Sequence, residues 1–359
     1  MADWIERSDA LQDLLTAAPA VLGLDTEFMR TDTFLPRLAL VQVQAGERIA
    51  LVDPTTGADP TPLASVLADP ARTIVMHSAG EDLEALATWS CTIGRLFDTQ
   101  IAASFAGLGA GLGYQKLVRE ITGVELPKAE TRSDWLRRPL SPQQLDYAEQ
   151  DVAHLPALHA ELCARLQARG YAAWFEEDCE RLLERARNRE PDPQPQTGLR
   201  GAADWPRESQ ALLRRVLRWR DRTARVIDRP RSWLVDDAHA LDLCARPPAD
   251  ANALAERTRG LRALRSAQRA ELFDVLHAPF AADELEFTPI PHAPDSREKQ
   301  IVSAMKEAVV ARAKELDLPD GLLCARRHLE SLLATRQWPT SLEGWRRDVL
   351  HDPLMARLP

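Results

Sequence analysis

Apolar residues near the start of the chain fall into short runs that read as strands. VLGLDTEF (21–28) and LALVQVQ (38–44) are rich in Val and Leu, RIALVDP (48–54) closes on a turn, and TIVMH (73–77) follows a polar segment that begins at Pro60. The runs 21–24 and 38–43 are nearly continuous rather than alternating, as expected of strands covered on both faces. They predict a mixed α/β sheet between helical layers. From Glu81 the period turns helical, through EDLEALATW (81–89), DTQIAASFAG (98–107), YQKLVREITG (114–123) and a long stretch from Ser141 to Arg187. Ser141-Pro142 supplies that stretch with a cap and a first helical residue.

Two breaks divide the remainder of the chain. PDPQPQTG (191–198) holds three prolines and a glycine and predicts an extended linker over 191–200. Beyond it the chain reads as helix alone: ESQALLRRVLRWRDRTARVI (208–227), then segments after Pro247-Pro248 that end near His277. AADELEFTPIPHAPDS (281–296) interrupts again before a last helical stretch. The layout predicted is an α/β domain over 1–190, the linker, and helical modules over 201–279 and 295–359. At about 150 residues per domain, a chain of this length holds two or three.

Composition narrows the class. The apolar fraction of 45% can fill real cores, and no apolar run approaches the ~18 residues of a membrane span. The N-terminus carries acids among its apolar residues and lacks the pattern of a secretory signal, so no membrane association and a cytoplasmic location are expected. Five scattered cysteines, with no C-x-x-C pair, indicate neither a disulfide framework nor a zinc finger. A formal charge of −9 argues mildly against a nucleic-acid partner, yet residues 201–235 hold nine arginines against four acids.

The candidate chemistry is acidic. Asp25 and Glu27 end the first predicted strand two residues apart, so both emerge on one sheet face. Asp82 opens the helix after TIVMH, and Tyr147 and Asp151 lie four apart on one helical face. Each alone has an ordinary explanation as a turn, a cap or a surface pair. Together they are four carboxylates that would repel one another in one cleft unless cations held them, and hard oxygen ligands select Mg²⁺ or Mn²⁺ over zinc. Two such ions ~3.5–4 Å apart stabilise the attacking and leaving oxygens of a phosphodiester.

With these residues in place, the chain resembles the DEDD exonucleases that carry a tyrosine in their third motif and, within them, the ribonuclease D family. LDTEF (24–28) looks like the first motif, HSAGEDL (77–83) the second and YAEQD (147–151) the third, while KAETRSDWLRRPLSPQQLDYA (128–148) resembles the family's characteristic run before the last motif. The resemblance covers nearly the whole chain. It implies a ribonuclease H-like mixed sheet flanked by helices and two divalent metal ions on Asp25, Glu27, Asp82 and Asp151. It also implies a Tyr147 that positions water. LRWRDRTARVIDRPRSWLV (217–235) resembles the start of the helical domain shared by RecQ-type helicases and ribonuclease D (HRDC), and 297–358 resembles a diverged second copy.

The function so implied is removal of nucleotides one at a time from single-stranded 3′ ends of RNA, with tRNA precursors as partners and no obligate protein partner. Nucleic-acid contacts fall on Lys128, Arg132, Trp135, Arg218, Arg222 and Arg225, against which stand core packing for Trp135 and an i, i+4 pair of Asp221 with Arg225. A DNA exonuclease, or an RNA-binding protein without catalysis, are the alternatives. GLGAGLG (107–113) follows a helix rather than a strand and reads as a mobile loop, not a phosphate loop.

Overall fold

The computed structural model describes residues 2–16, 18–127 and 133–359. Two compact units emerge, one of residues 1–29, 36–188 and 296–359, the other of 30–35 and 189–295.

The first unit is built on a mixed sheet. Among the described residues, β1 (Asp3–Ile5), β2 (Val21–Met29), β3 (Arg37–Ala45), β4 (Arg48–Val52), β5 (Thr73–Met76) and β6 (Leu96–Asp98) lie in the order β1-β4-β3-β2-β5-β6. β2 runs antiparallel to β3 and parallel to β5, and Leu22, Leu24, Val41 and Val43 are fully buried, as the continuous apolar runs require. Its helices are α1 (Ser8–Thr16), α2 (Thr61–Ala68), α3 (Gly80–Thr88), α4 (Thr99–Phe105), α5 (Tyr114–Thr122), α6 (Pro142–Ala153), α7 (Leu155–Arg169) and α8 (Ala172–Arg187). The stretch predicted as one long helix is therefore three. Pro156 restricts the backbone before it at the first break, and Gly170 ends α7 in the left-handed region at φ 74°.

The second unit contains α9 (Arg207–Ile227), α10 (Arg231–Leu234), α11 (Asp237–Ala245), α12 (Ala251–Arg257) and α13 (Ser266–His277). α9 buries Leu213, Val216, Leu217 and Ala224 along one stripe. Phe34, from the segment that follows β2, sits in this core beneath the guanidinium groups of Arg225 and Arg231, 4.9 and 4.7 Å from its ring centre. The predicted extended linker is instead folded onto the unit. Pro195–Gly198 and Arg200–Ala202 form short 3₁₀ turns, the buried Gln196 amide donates to the Thr288 carbonyl at 2.9 Å, and Arg214 donates to the Pro193 carbonyl at 2.9 Å. Prolines broke the helical period there without freeing the chain.

The last segment also departs from expectation. α14 (Ser296–Glu315), α15 (Asp320–Leu323), α16 (Arg326–Thr335) and α17 (Trp345–Met355) do not stand as a separate module but share one hydrophobic core with the sheet and its helices. Trp345, 2% exposed, stacks on Trp174 of α8 at 4.7 Å between ring centres and meets Phe105 of α4 edge-on at 5.5 Å. Its indole N–H and the Arg346 guanidinium both donate to buried Asp178, at 3.0 and 2.7 Å. Gly344, at φ 65°, precedes α17 where a Cβ would collide with the Glu177 carboxylate. Helical periodicity locates these elements but carries no signal of which core they enter.

Candidate active site

Strand alternation turns Asp25 and Glu27 toward the layer in which α6 crosses β2, β3 and β4. α6 is held there by the segment before it. Ser141 and Gln144 close a capping box, Trp135 and Leu140 are buried against Leu40, Leu51 and Ala148, and Arg138 bridges to Asp53 and to the carbonyls of Ala39 and Trp135. Burial alone would raise the Asp53 pKa, but donation from Arg138 and Thr55 holds it below the usual carboxylate value. This clamp fixes the rotation of α6, and Asp151 arrives beside the two strand acids. One carboxylate oxygen from each of Asp25, Glu27 and Asp151 lies within 4.8 Å of the others.

Asp82 comes from the first turn of α3. Its Oδ1 accepts a 2.6 Å hydrogen bond from Thr26, whose side chain leaves β2 on the face opposite Asp25 and Glu27. Asp82 falls outside the 4.8 Å triad yet still repels it, since its charge raises the pKa of both Asp25 and Glu27.

The electrostatics follow from this crowding. Burial, then the charges of Asp82, Asp151 and Glu27, holds Asp25 well above the ordinary carboxylate range. Burial followed by Asp151 and Asp82 pushes Glu27 up to about 9. Burial lifts Asp151 to about 7 and Asp82 to about 6, in spite of hydrogen bonds from Tyr147 and Thr26 respectively. Among the described residues none of the four acids has a Lys or Arg partner. Opposite Asp25 on β3 lies Gln42, fully buried, with neither amide atom hydrogen-bonded. Clustered hard oxygens that retain protons and a polar group lacking a partner fit a divalent cation and its water.

The Tyr147 hydroxyl donates to Asp151, and its pKa is raised above the ordinary phenol value by burial, Asp151 and Glu27. It therefore stays protonated and acts as a hydrogen-bond donor, not a base. Trp135 is 4% exposed with its ring centre 6.0 Å from that of Tyr147, so it buttresses the tyrosine instead of offering a face to a base. Lys128 and Arg132 lie outside the described residues.

In the second unit, Arg225 pairs with Asp221 at 2.7 Å and lies over the Phe34 ring, the i, i+4 pairing that stood against a phosphate contact. Arg218 and Arg222 are exposed and, among the described residues, have no intramolecular partner. Tyr114 escaped sequence reading. Its hydroxyl donates to the Gln150 carbonyl at 3.0 Å, and it lines, with Lys116, Arg119, Tyr147 and Asp151, a cleft of about 600 Å³. Thr26 and Gln42 were equally invisible, because a threonine or glutamine on a buried strand announces no partner.

Comparison with known proteins supplies the family. The family described as 3′-5′ exonuclease matches residues 2–167. The chain is 45% identical to the ribonuclease D of Xanthomonas oryzae pv. oryzae over all of this chain and 99% of that protein. It is 30% identical to the ribonuclease D of Escherichia coli K12 over 98% and 96% of the two. The crystal structure of Escherichia coli RNase D, described as an exoribonuclease involved in structured RNA processing, superposes with a TM-score of 0.84 at 27% identity, covering 99% of this chain and 98% of that one. Its exonuclease family is divalent-metal dependent. No described helix is long and apolar enough to cross a membrane. A mixed sheet that gathers four acids beside a hydrogen-bonding tyrosine, in a chain related over its full length to these enzymes, belongs to the ribonuclease D family and is a 3′-5′ exoribonuclease.

Proposed function

We propose that Asp25, Glu27, Asp82 and Asp151 hold two divalent cations, Mg²⁺ or Mn²⁺, at which the 3′-terminal phosphodiester of RNA is hydrolysed to release nucleoside 5′-monophosphates. The observation that carries this reading is the convergence of three carboxylate oxygens within 4.8 Å with, among the described residues, no cationic side chain paired to them. When bound, such ions acidify water and stabilise charge on the attacking and leaving oxygens of an in-line displacement.

The chain's own groups supply the rest. Tyr147, kept protonated, orients the attacking water by its hydroxyl, and Trp135 keeps the phenol in that position. Gln42 offers its amide to the hydration or carboxylate shell beside Asp25. Arg218 and Arg222 offer exposed charge to RNA phosphates from the second unit. RNAs with short single-stranded 3′ extensions on a folded body, tRNA precursors foremost, are the substrates that agree with the structured-RNA processing ascribed to the Escherichia coli enzyme.

Incubation of the full-length protein with 5′-labelled single-stranded RNA and Mg²⁺ or Mn²⁺ is expected to give a ladder that shortens from the 3′ end and disappears in Asp25→Asn. A parallel DNA oligonucleotide tests the 2′-hydroxyl. Faster turnover of the DNA would replace RNA as the substrate, and a wild-type ladder that persists in Asp25→Asn would remove the acids from the chemistry.

A further inference from the structure

Asp151, of the four acids, lines the cleft walled by Tyr114, Lys116 and Arg119. Lys116 and Arg119 stand three apart on α5 and so share a side of the helix. Both are exposed, and among the described residues neither has an intramolecular partner. Gly113 belongs to this cleft. Two residues earlier Gly111 lines a second one, of about 720 Å³, enclosed by α4, α8 and the helices near the C-terminus of the first unit. The glycine-rich run, expected from sequence to be a mobile loop, is thus the sill between two clefts. Gly107, Gly109 and Gly111 all take positive φ, and at Gly109, Gly111 and Gly113 a side chain would meet nothing within 4 Å. The backbone there borders open space.

The charges of the second cleft fall into two groups. Arg346 is spent on Asp178, and Arg181 on Glu177 and the Ser341 carbonyl. Glu343 is paired with Arg347. Arg185 and Arg327 are exposed and, among the described residues, have no partner. His328, whose pKa is lowered by burial and by Arg327 and Arg346, adds a polar wall with its ring nitrogen 3.0 Å from the Ser341 hydroxyl. Across both clefts Lys116, Arg119, Arg185 and Arg327 face two acids without ion-pair partners, Glu125 and Glu184, apart from the catalytic cluster. Outside the acid cluster the lining of the two clefts thus carries a positive surplus, against a whole-chain charge of −9.

We propose that the two clefts form one track for the sugar-phosphate backbone upstream of the cleaved 3′ end, Lys116 and Arg119 taking the nearer phosphates and Arg185 and Arg327 the farther ones. The assignment rests on the exoribonuclease reading. Unpartnered cations along a groove give sequence-independent, salt-dependent affinity, and bare glycine backbone lets a strand pass close to the protein. α15 and α16 thereby acquire a role in substrate binding without any docking motif of their own.

The test uses the full-length protein with the paired substitutions Arg185→Glu with Arg327→Glu and, separately, Arg185→Lys with Arg327→Lys. Each is assayed with divalent metal on a dinucleotide and on a single-stranded RNA of about twenty nucleotides with the same 3′ sequence. The glutamate pair is expected to lower kcat/KM on the long RNA by about tenfold or more, as befits two lost phosphate contacts. It should also flatten the salt dependence by roughly 0.7 per contact in log-log slope. The dinucleotide, too short to reach the second cleft, should be cleaved at the wild-type rate, and the lysine pair should restore the long-RNA rate. Equal handling of long RNA by wild type and the glutamate pair, or an equal loss on both substrates, overturns the track. A wild-type protein that shortens neither RNA sinks the exonuclease reading instead, so the two failures are distinguishable.

Discussion

Two sets of acids in this chain invite comparison. Asp53, Asp178 and Asp221 each face an arginine: Arg138 for the first, Arg346 for the second, Arg225 and Arg231 for the third. Asp25, Glu27, Asp82 and Asp151 are half-buried, and what they face is mainly one another. The first kind anchors the fold, because a buried carboxylate is tolerable when a guanidinium and further donors satisfy it. The second kind costs stability, which on the proposed function a bound cation would offset. What distinguishes these two sets is the sign of the neighbouring charge.

The widest break in this comparison comes from removing residues 296–359, which takes Arg346 from Asp178 and Trp345 from Phe105 and Trp174. Burial of one large apolar side chain contributes about 1.5–3 kcal/mol, and whole domains are stable by about 5–15 kcal/mol, so what remains of the first unit, residues 1–29 and 36–188, should not fold cooperatively. Circular dichroism on heating checks this, and a cooperative transition like that of the full chain would show the C-terminal helices to be dispensable. Next in size is Asp25→Asn, expected to lower kcat/KM by roughly 10³-fold, about 4 kcal/mol, while the metal-free melting temperature holds or rises because a carboxyl whose ionised form the fold disfavours is gone. Asp178→Asn reverses both readouts. It should cost about 3–5 kcal/mol of stability in denaturant titrations, leaving Arg346 buried without its partner, with little change in rate per folded molecule.

pH sharpens the contrast through opposite signs. The folded-state pKa of Glu27 is raised to about 9, that of Asp151 to about 7 and that of Asp82 to about 6, so the metal-free fold binds protons that the unfolded chain releases and gains stability as pH falls from 9 toward 5. Asp53 is depressed below its ordinary 3.8, and its contribution is present above that value and lost as pH falls through it. A cation must displace the cluster's protons. Calorimetric titration with Mn²⁺ between pH 6 and 9 should therefore show proton release and tighter binding at higher pH, and binding without proton release would mean the acids are already ionised. The smallest expected effect is that of Trp135→Phe, which loosens Tyr147 without removing its hydroxyl and should lower kcat by about two- to tenfold with KM unchanged.

Much of this was readable in the amino-acid sequence, for identifiable reasons. Strand runs such as 21–24 and 38–43 are continuous because both faces are covered, and the spacing of Asp25 from Glu27 and of Tyr147 from Asp151 dictates which side chains share a face. Short elements were missed. β1 and β6 have three residues each, too few for a period to register. The greater errors were tertiary. Nothing in the pattern of α14 to α17 says whether their apolar stripes close on each other or on a neighbour, and proline content at 191–198 reports a broken helix, not a free chain. Arg225 illustrates the same limit at one residue: its spacing from Arg222 suggests a phosphate-facing row and its spacing from Asp221 an ion pair, and the structure shows the ion pair together with a Phe34 contact that no spacing announces.

The split composition of the first unit has a consequence for biosynthesis. A chain leaves the ribosome from its N-terminus, and domains fold as their residues emerge. Here the core around the acids cannot close when residue 188 appears, because Trp345 and its neighbours are still untranslated and the whole of 189–295 must come out first. The second unit, except for its short 30–35 segment, is contiguous and can form ahead of it. The nuclease thus becomes competent only after residues 296–359 have emerged, and a product cut short before them is left without a finished active-site scaffold while it is still tethered beside RNA.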